Sequence, residues 1–109
     1  MFGTLTRQAD FAAVYAQGRK RVGKSFVLFY LPHAESRYAV VASKKAIGNA
    51  VRRNRAKRLL RELLRAVGGA GQGIWAGHLL LVARAGILQN DFTETRGELE
   101  RCLKKLLSV

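Results

Sequence analysis

The sequence predicts an α+β domain: a small mixed sheet packed with helices, in the order helix, strand, strand, helix, strand, helix. Three observations predict it. Residues 25–31 and 37–43 are rich in β-branched and aromatic side chains and flank a turn that begins at Pro32. Residues 78–83 form a third, almost continuously apolar run. Around these, apolar residues recur at helical spacing in residues 6–17, 50–67 and 92–107. Neither internal repeats nor a linker interrupts the 109 residues, so residues 1–109 form one domain.

In residues 6–17, Phe11, Val14 and Tyr15 fall at i, i+3 and i+4 on one face of a short helix that Thr6 can cap and Gly18 ends. Two aromatics so close are either ordinary core or a platform on which unpaired bases stack, worth roughly 1–3 kcal/mol per base. Arg19, Lys20, Arg21 and Lys24 follow at once, which favours the platform. An extra short strand near residues 20–23 fits the pattern.

Residues 25–31 form a strand that stops at Pro32, which has no N–H for a ladder. Phe26, Leu28 and Tyr30 share one face, and Val27, Phe29 and Leu31 share the other. One face must meet the helices, which leaves the other for binding. Residues 37–43 form the second strand, and the loop at 32–36 suits an antiparallel hairpin.

Asn49 is placed to cap a helix running to about Val67. Ala56, Leu59, Leu60, Leu63, Leu64 and Val67 gather on one side of it. Asn54, Arg58, Arg61 and Arg65 line the other, with Lys57 and Arg55 flanking that row. Together with Lys44, Lys45, Arg52 and Arg53, this stretch holds a single acid, Glu62. Like charges three or four residues apart repel by a few tenths of a kcal/mol each, and a merely solvated face would intersperse acids. Binding to a phosphate backbone accounts for the pattern.

Residues 68–73 contain four glycines without phosphate-loop spacing and read as a connector. The run at 78–83 reads as a strand buried on both faces, with Arg84 extending the basic surface. Asp91, Phe92, Thr93 and Glu94 are similar to a capping box and open a last helix through about Leu107. Phe92, Leu99, Cys102, Leu103, Leu106 and Leu107 mark its inner face, and Lys104 and Lys105 suit its C-terminal dipole.

The net charge of +13 makes a polyanion the expected partner, because such self-repulsion weakens a compact state until it is screened. A composition of 49% hydrophobic residues is enough to close a small core. No apolar run is long enough to span a bilayer, and the N-terminus lacks the pattern of a secretion signal, so a cytoplasmic protein with no membrane partner is expected. Cys102 is the only cysteine, which excludes an internal disulfide or a thiolate metal cluster and suggests a small packing residue.

Catalytic groups are scarce. Four of the seven acids, Asp91, Glu94, Glu98 and Glu100, crowd the last helix. His33 and His78 have no partner at metal-ligand spacing, and no serine lies in a nucleophile elbow. On residue chemistry alone, an RNA-binding subunit, a structural RNA-binding protein such as a ribosomal component, and a membrane-surface module all remain open.

One family fits. Lys44-Lys45, Gly48-Asn49-Ala50-Val51, Arg53-Asn54-Arg55, Lys57-Arg58 and Arg61-Glu62 together resemble the signature of the bacterial ribonuclease P protein subunit. Asp10-Phe11, Val14-Tyr15 and Gly18 resemble its first helix, Phe26-Val27-Leu28-Phe29-Tyr30 its central strand and Leu80-Leu81-Val82-Ala83-Arg84 its last one. The resemblance implies a subunit of an endoribonuclease whose catalytic RNA removes the 5′ leader of precursor tRNA by Mg²⁺-dependent hydrolysis. Mg²⁺ would be bound mainly by the RNA, with no cofactor required by the chain itself. It further implies a leader cleft lined by Phe11, Tyr15 and Phe29. The helix bearing Arg53, Asn54, Arg55, Lys57, Arg58 and Arg61 would border that cleft and face the catalytic RNA. A left-handed strand-helix-strand crossover around this helix is also implied, against the usual right-handed rule. His78 and the glycine-rich stretch depart from commoner family patterns.

Overall fold

The computed structural model describes residues 3–67 and 77–107, so the glycine-rich stretch at 68–73 lies outside the described residues. The elements are β1 (Gly3–Thr4), α1 (Gln8–Gln17), β2 (Arg19–Val22), β3 (Phe26–Pro32), β4 (Arg37–Val41), α2 (Lys44–Ile47), α3 (Ala50–Val67), β5 (Gly77–Ala83), a 3-10 turn (Ala85–Leu88) and α4 (Phe92–Leu107). β2 is the extra strand that the sequence allowed. β1 and α2 are additions.

The sheet order is β1-β4-β5-β3-β2. The hairpin expected between residues 25–31 and 37–43 does not form, because β5 lies between β3 and β4, antiparallel to the first and parallel to the second. Burial explains the insertion. Leu79, Leu80 and Leu81 are all fully buried, and a strand with no polar face is stable only at the centre of a covered sheet. β4 and β5 are therefore parallel neighbours joined through α2 and α3, the unit to which the family resemblance assigns the unusual crossover. Gly77 opens β5 at φ +152°, where an added Cβ would sit 2.5 Å from the Leu31 carbonyl oxygen. Only glycine passes there.

Strand alternation divides the core into two layers. On one face Phe26, Leu28, Tyr30, Leu79 and Leu81 meet Ala56, Leu60, Leu63 and Leu64 of α3 and Leu99, Leu103 and Leu106 of α4. On the other, Val14 of α1 packs with Leu80, Ala39 and Leu5, and Phe11, Phe29 and Leu31 close around them. The even residues of β3 thus hold the larger core, and its odd residues meet α1.

One helix cap also needs correction. Thr6 does not cap α1, which starts at Gln8 after an N-cap at Arg7 with no side-chain bond. The cause is Leu5, buried and donating its N–H to the Tyr38 carbonyl at 2.7 Å, which keeps the chain extended until α1 can begin. Phe92 lies on the inner side of α4, lining a depression with Leu59 and Leu63 of α3, though it stays 37% exposed at the start of the helix, and Cys102 is half-buried. The side chain of Leu107 falls outside the described residues.

Candidate nucleic-acid interface

The basic segment is built by two caps and a glycine. The Ser43 hydroxyl accepts from the Ala46 N–H at 3.1 Å and starts α2, and the Asn49 side-chain oxygen accepts from the Arg52 N–H at 2.9 Å and starts α3. Between them Gly48 takes φ +113°, a conformation that L side chains rarely adopt, so the chain can turn from one helix into the next. Arg52 folds back, its Nε donating to the Ile47 carbonyl at 3.1 Å, and so braces the same turn.

The other predicted cations divide by position. Lys44 and Lys45 are exposed on α2. Arg53 and Lys57 are half-buried along one flank of α3, whereas Arg55 is exposed on the other. Asn54, Arg58, Arg61 and Arg65 are exposed and line a shallow trough with Lys57 and Glu62. Among the described residues ion pairs join only Arg37 to Glu35 and Arg96 to Glu100. The charge of α2 and α3 therefore stays unneutralised within the protein.

On the opposite face of the sheet, Phe11 and Phe29 are half-buried while Tyr15 is 45% exposed. The rings of Tyr15 and Phe29 lie 5.0 Å apart at 72°, an edge-to-face pair. Burial pushes the Tyr15 hydroxyl above its ordinary pKa, so it is a neutral donor at neutral pH. Directly across from Phe29 on β2 stands Lys20, on the same face and exposed. Beyond α1 a row of four valines crosses the sheet, Val22 to Val27 to Val82 to Val41. Val22 is 58% exposed and the other three are half-buried, so α1 leaves this row uncovered.

The sequence expectation that the basic helix borders the aromatic cleft is altered by this arrangement. The body of α3 packs on the far side of the sheet from Phe11, Tyr15 and Phe29. The valine row finishes at Val41, from which the chain passes through Ala42 and Ser43 into Lys44 and Lys45. Arg84 is exposed at the end of β5, and its Nη1 donates to the Gly23 carbonyl at 2.7 Å.

A family model described as Ribonuclease P matches residues 2–107. The chain belongs to the Ribonuclease P family. It is 37% identical over 103 residues to the ribonuclease P protein component of a Nitratiruptor species, covering 94% of this chain and 91% of the relative. It is 29% identical over 99 residues to that of Streptococcus pyogenes, covering 90% and 81%. Among solved structures, the Staphylococcus aureus RNase P protein superposes with a TM-score of 0.78 at 27% identity, covering 99% of this chain and all of that one. The Thermotoga maritima RNase P protein gives 0.76 at 27% identity, covering 94% and 96%.

Within this Ribonuclease P fold, two parts of the site escape sequence reasoning. The valine row depends on strand register, which no local pattern specifies. Lys20 joins the aromatic face only because β2 pairs with β3, although its place among Arg19, Arg21 and Lys24 was already a signal. Among the described residues no three or more His, Cys, Asp or Glu side chains are placed to hold a metal ion, and no helix is long and apolar enough to cross a membrane.

Proposed function

We propose that this chain is the protein component of a ribonuclease P ribonucleoprotein, binding the catalytic RNA with α2 and α3 and the single-stranded 5′ leader of precursor tRNA on the α1 face of the sheet. The observation that carries this reading is the Tyr15–Phe29 pair, set beside Lys20 and continuing into an uncovered row of valines. An extended strand can lay unpaired bases on rings and methyl groups while a lysine meets its phosphate, whereas paired bases present no free face. A purely structural RNA-binding protein has no need of such a platform.

The cations of α2 and α3 supply affinity without sequence information, by replacing the counterions of an RNA backbone. Between two polyanions, a chain with a net charge of +13 lowers repulsion and lets metal sites on the RNA fill at lower Mg²⁺. Mg²⁺ supplies the activation of water for phosphodiester hydrolysis, held mainly by RNA. The protein's own groups bind, orient and neutralise, in a cytoplasmic complex.

Reconstitution with the catalytic RNA across a Mg²⁺ series tests this. Cleavage of precursor tRNA should be rescued at low Mg²⁺ by the protein. Cleavage by the protein alone, or no effect of the protein on the RNA, would overturn the reading.

A further inference from the structure

A second line of positive charge lies away from α3, along the seam where β2 meets α4. Two hydrogen-bonded clasps fix its ends. At one, Arg19 Nη1 donates to the Leu106 carbonyl at 2.8 Å, and at the other the Lys24 backbone N–H donates to both oxygens of Glu98 at 3.1 and 3.2 Å. Between the clasps, Arg21 pairs with Leu28 and so lies on the face of β2 that meets α4, while Arg101 and Lys105 follow Glu98 at i+3 and i+7 along α4, and all three are exposed. Among the described residues none of these three makes an ion pair; two acids, Glu94 and Glu98, stand at the Lys24 end of the seam, and Glu98 accepts from the Lys24 N–H.

Two ordinary explanations cover part of the pattern. Charged side chains on the edge strand β2 keep it from pairing with another sheet, and lysines in the last turn of α4 complement its dipole. Neither explains Arg101, which precedes the last turn and shares a surface depression with Lys24. The far flank of α4 holds an ion pair instead. Arg96 and Glu100 pair there at 3.4 Å, roughly 150° around the helix from the seam at 100° per residue. Exposed Lys104 stands between that pair and the seam.

We propose that the β2–α4 seam is a second phosphate-binding track, which takes a sugar-phosphate backbone segment of RNA independently of α3. The proposal rests on the reading that this chain binds a catalytic RNA. Flexible and guanidinium cations in a row along an open surface fit a backbone and not a base or a small ligand. With α3 and the seam as separate tracks, one protein can grip two backbone segments at once.

The test uses the full chain and its catalytic RNA. Arg101→Gln and Lys105→Gln should each lower the slope of log Kd against log salt concentration by about one, whereas Arg96→Gln, the same charge loss on the same helix, should leave it unchanged. Saturating RNA should also slow alkylation of Cys102, the only cysteine, several-fold. Thermal melts without RNA confirm that each variant is folded. If Arg101→Gln and Lys105→Gln behave like Arg96→Gln and alkylation is unaffected, while Arg58→Gln still lowers the slope, the seam is not a track. If the wild-type chain fails to bind the RNA, the parent reading falls with it.

Discussion

The ring of Tyr15 meets that of Phe29 edge to face, and this contact ties the last turn of α1 to the middle of β3. It holds one aromatic half in solvent without burying it. The site is preorganised in that a ring is already fixed before any base arrives.

Tyr15→Ala should weaken binding of precursor tRNA by about 1–3 kcal/mol, roughly 5- to 150-fold, and leave mature tRNA unaffected. Tyr15→Phe keeps the ring and should retain most of the affinity. Competition binding with the two tRNA forms checks both. Equal losses for precursor and mature tRNA would remove the leader from the α1 face.

Arg58→Gln and Arg61→Gln should each reduce the salt slope for the catalytic RNA by about one. Arg52→Gln should act differently, since its guanidinium is bonded to the Ile47 carbonyl. A loss on the order of 1 kcal/mol in stability, with a smaller change in slope, is expected from denaturant melts paired with binding at several salt concentrations.

Gly48→Ala should cost about 1–3 kcal/mol, because φ +113° is strained for any L side chain. Space is not the issue, as the nearest atom to an added Cβ is Arg52 Cδ at 3.4 Å. Asn49→Ala should cost about 1 kcal/mol through the lost cap. Chemical denaturation measures both.

His78 links stability to pH. Its ring stacks on His33 at 4.0 Å, and Nε2 is buried without a hydrogen-bond partner. Burial, reinforced by His33 and Arg37 and opposed by Asp10 and Glu35, holds its pKa below the ordinary 6.5. The unfolded chain therefore binds a proton more readily than the folded one, so stability is full above about pH 6.5 and falls as the pH drops below it. His78→Phe should flatten that fall in a Tm series from pH 7.5 to 5.5. An unchanged profile would assign it to other groups, such as Glu35, whose pKa the Arg37 hydrogen bond lowers and which matters only at more acid pH.

Local signals were legible where one residue decides the outcome. Asn49 and Asp91 cap their helices, the latter by accepting from the Glu94 N–H at 3.0 Å, and the alternation along β3 divides its two faces as read. Pairing was not legible. A short turn after Pro32 suits a hairpin, and nothing local reveals that the apolar residues 77–83 outcompete β4 for the edge of β3. The site shares that limit. Phe11, Tyr15 and the cation row could be named from spacing and Phe29 only from the family resemblance, but their placement on opposite faces and the valine row depend on register.

The insertion of β5 between β3 and β4 also bears on how the chain matures as it is made. β3 and β4 leave the ribosome early, yet neither finds its principal partner until residues 77–83 emerge, and Phe26 and Leu28 stay uncovered until α4 follows. Such long-range pairing slows folding. The arginines of α3 are synthesised before β5, the strand that joins the sheet together, so a nascent chain is positively charged before it has a shaped surface. Release of the C-terminal third, and not synthesis of the basic segment, marks the moment at which selective RNA recognition begins.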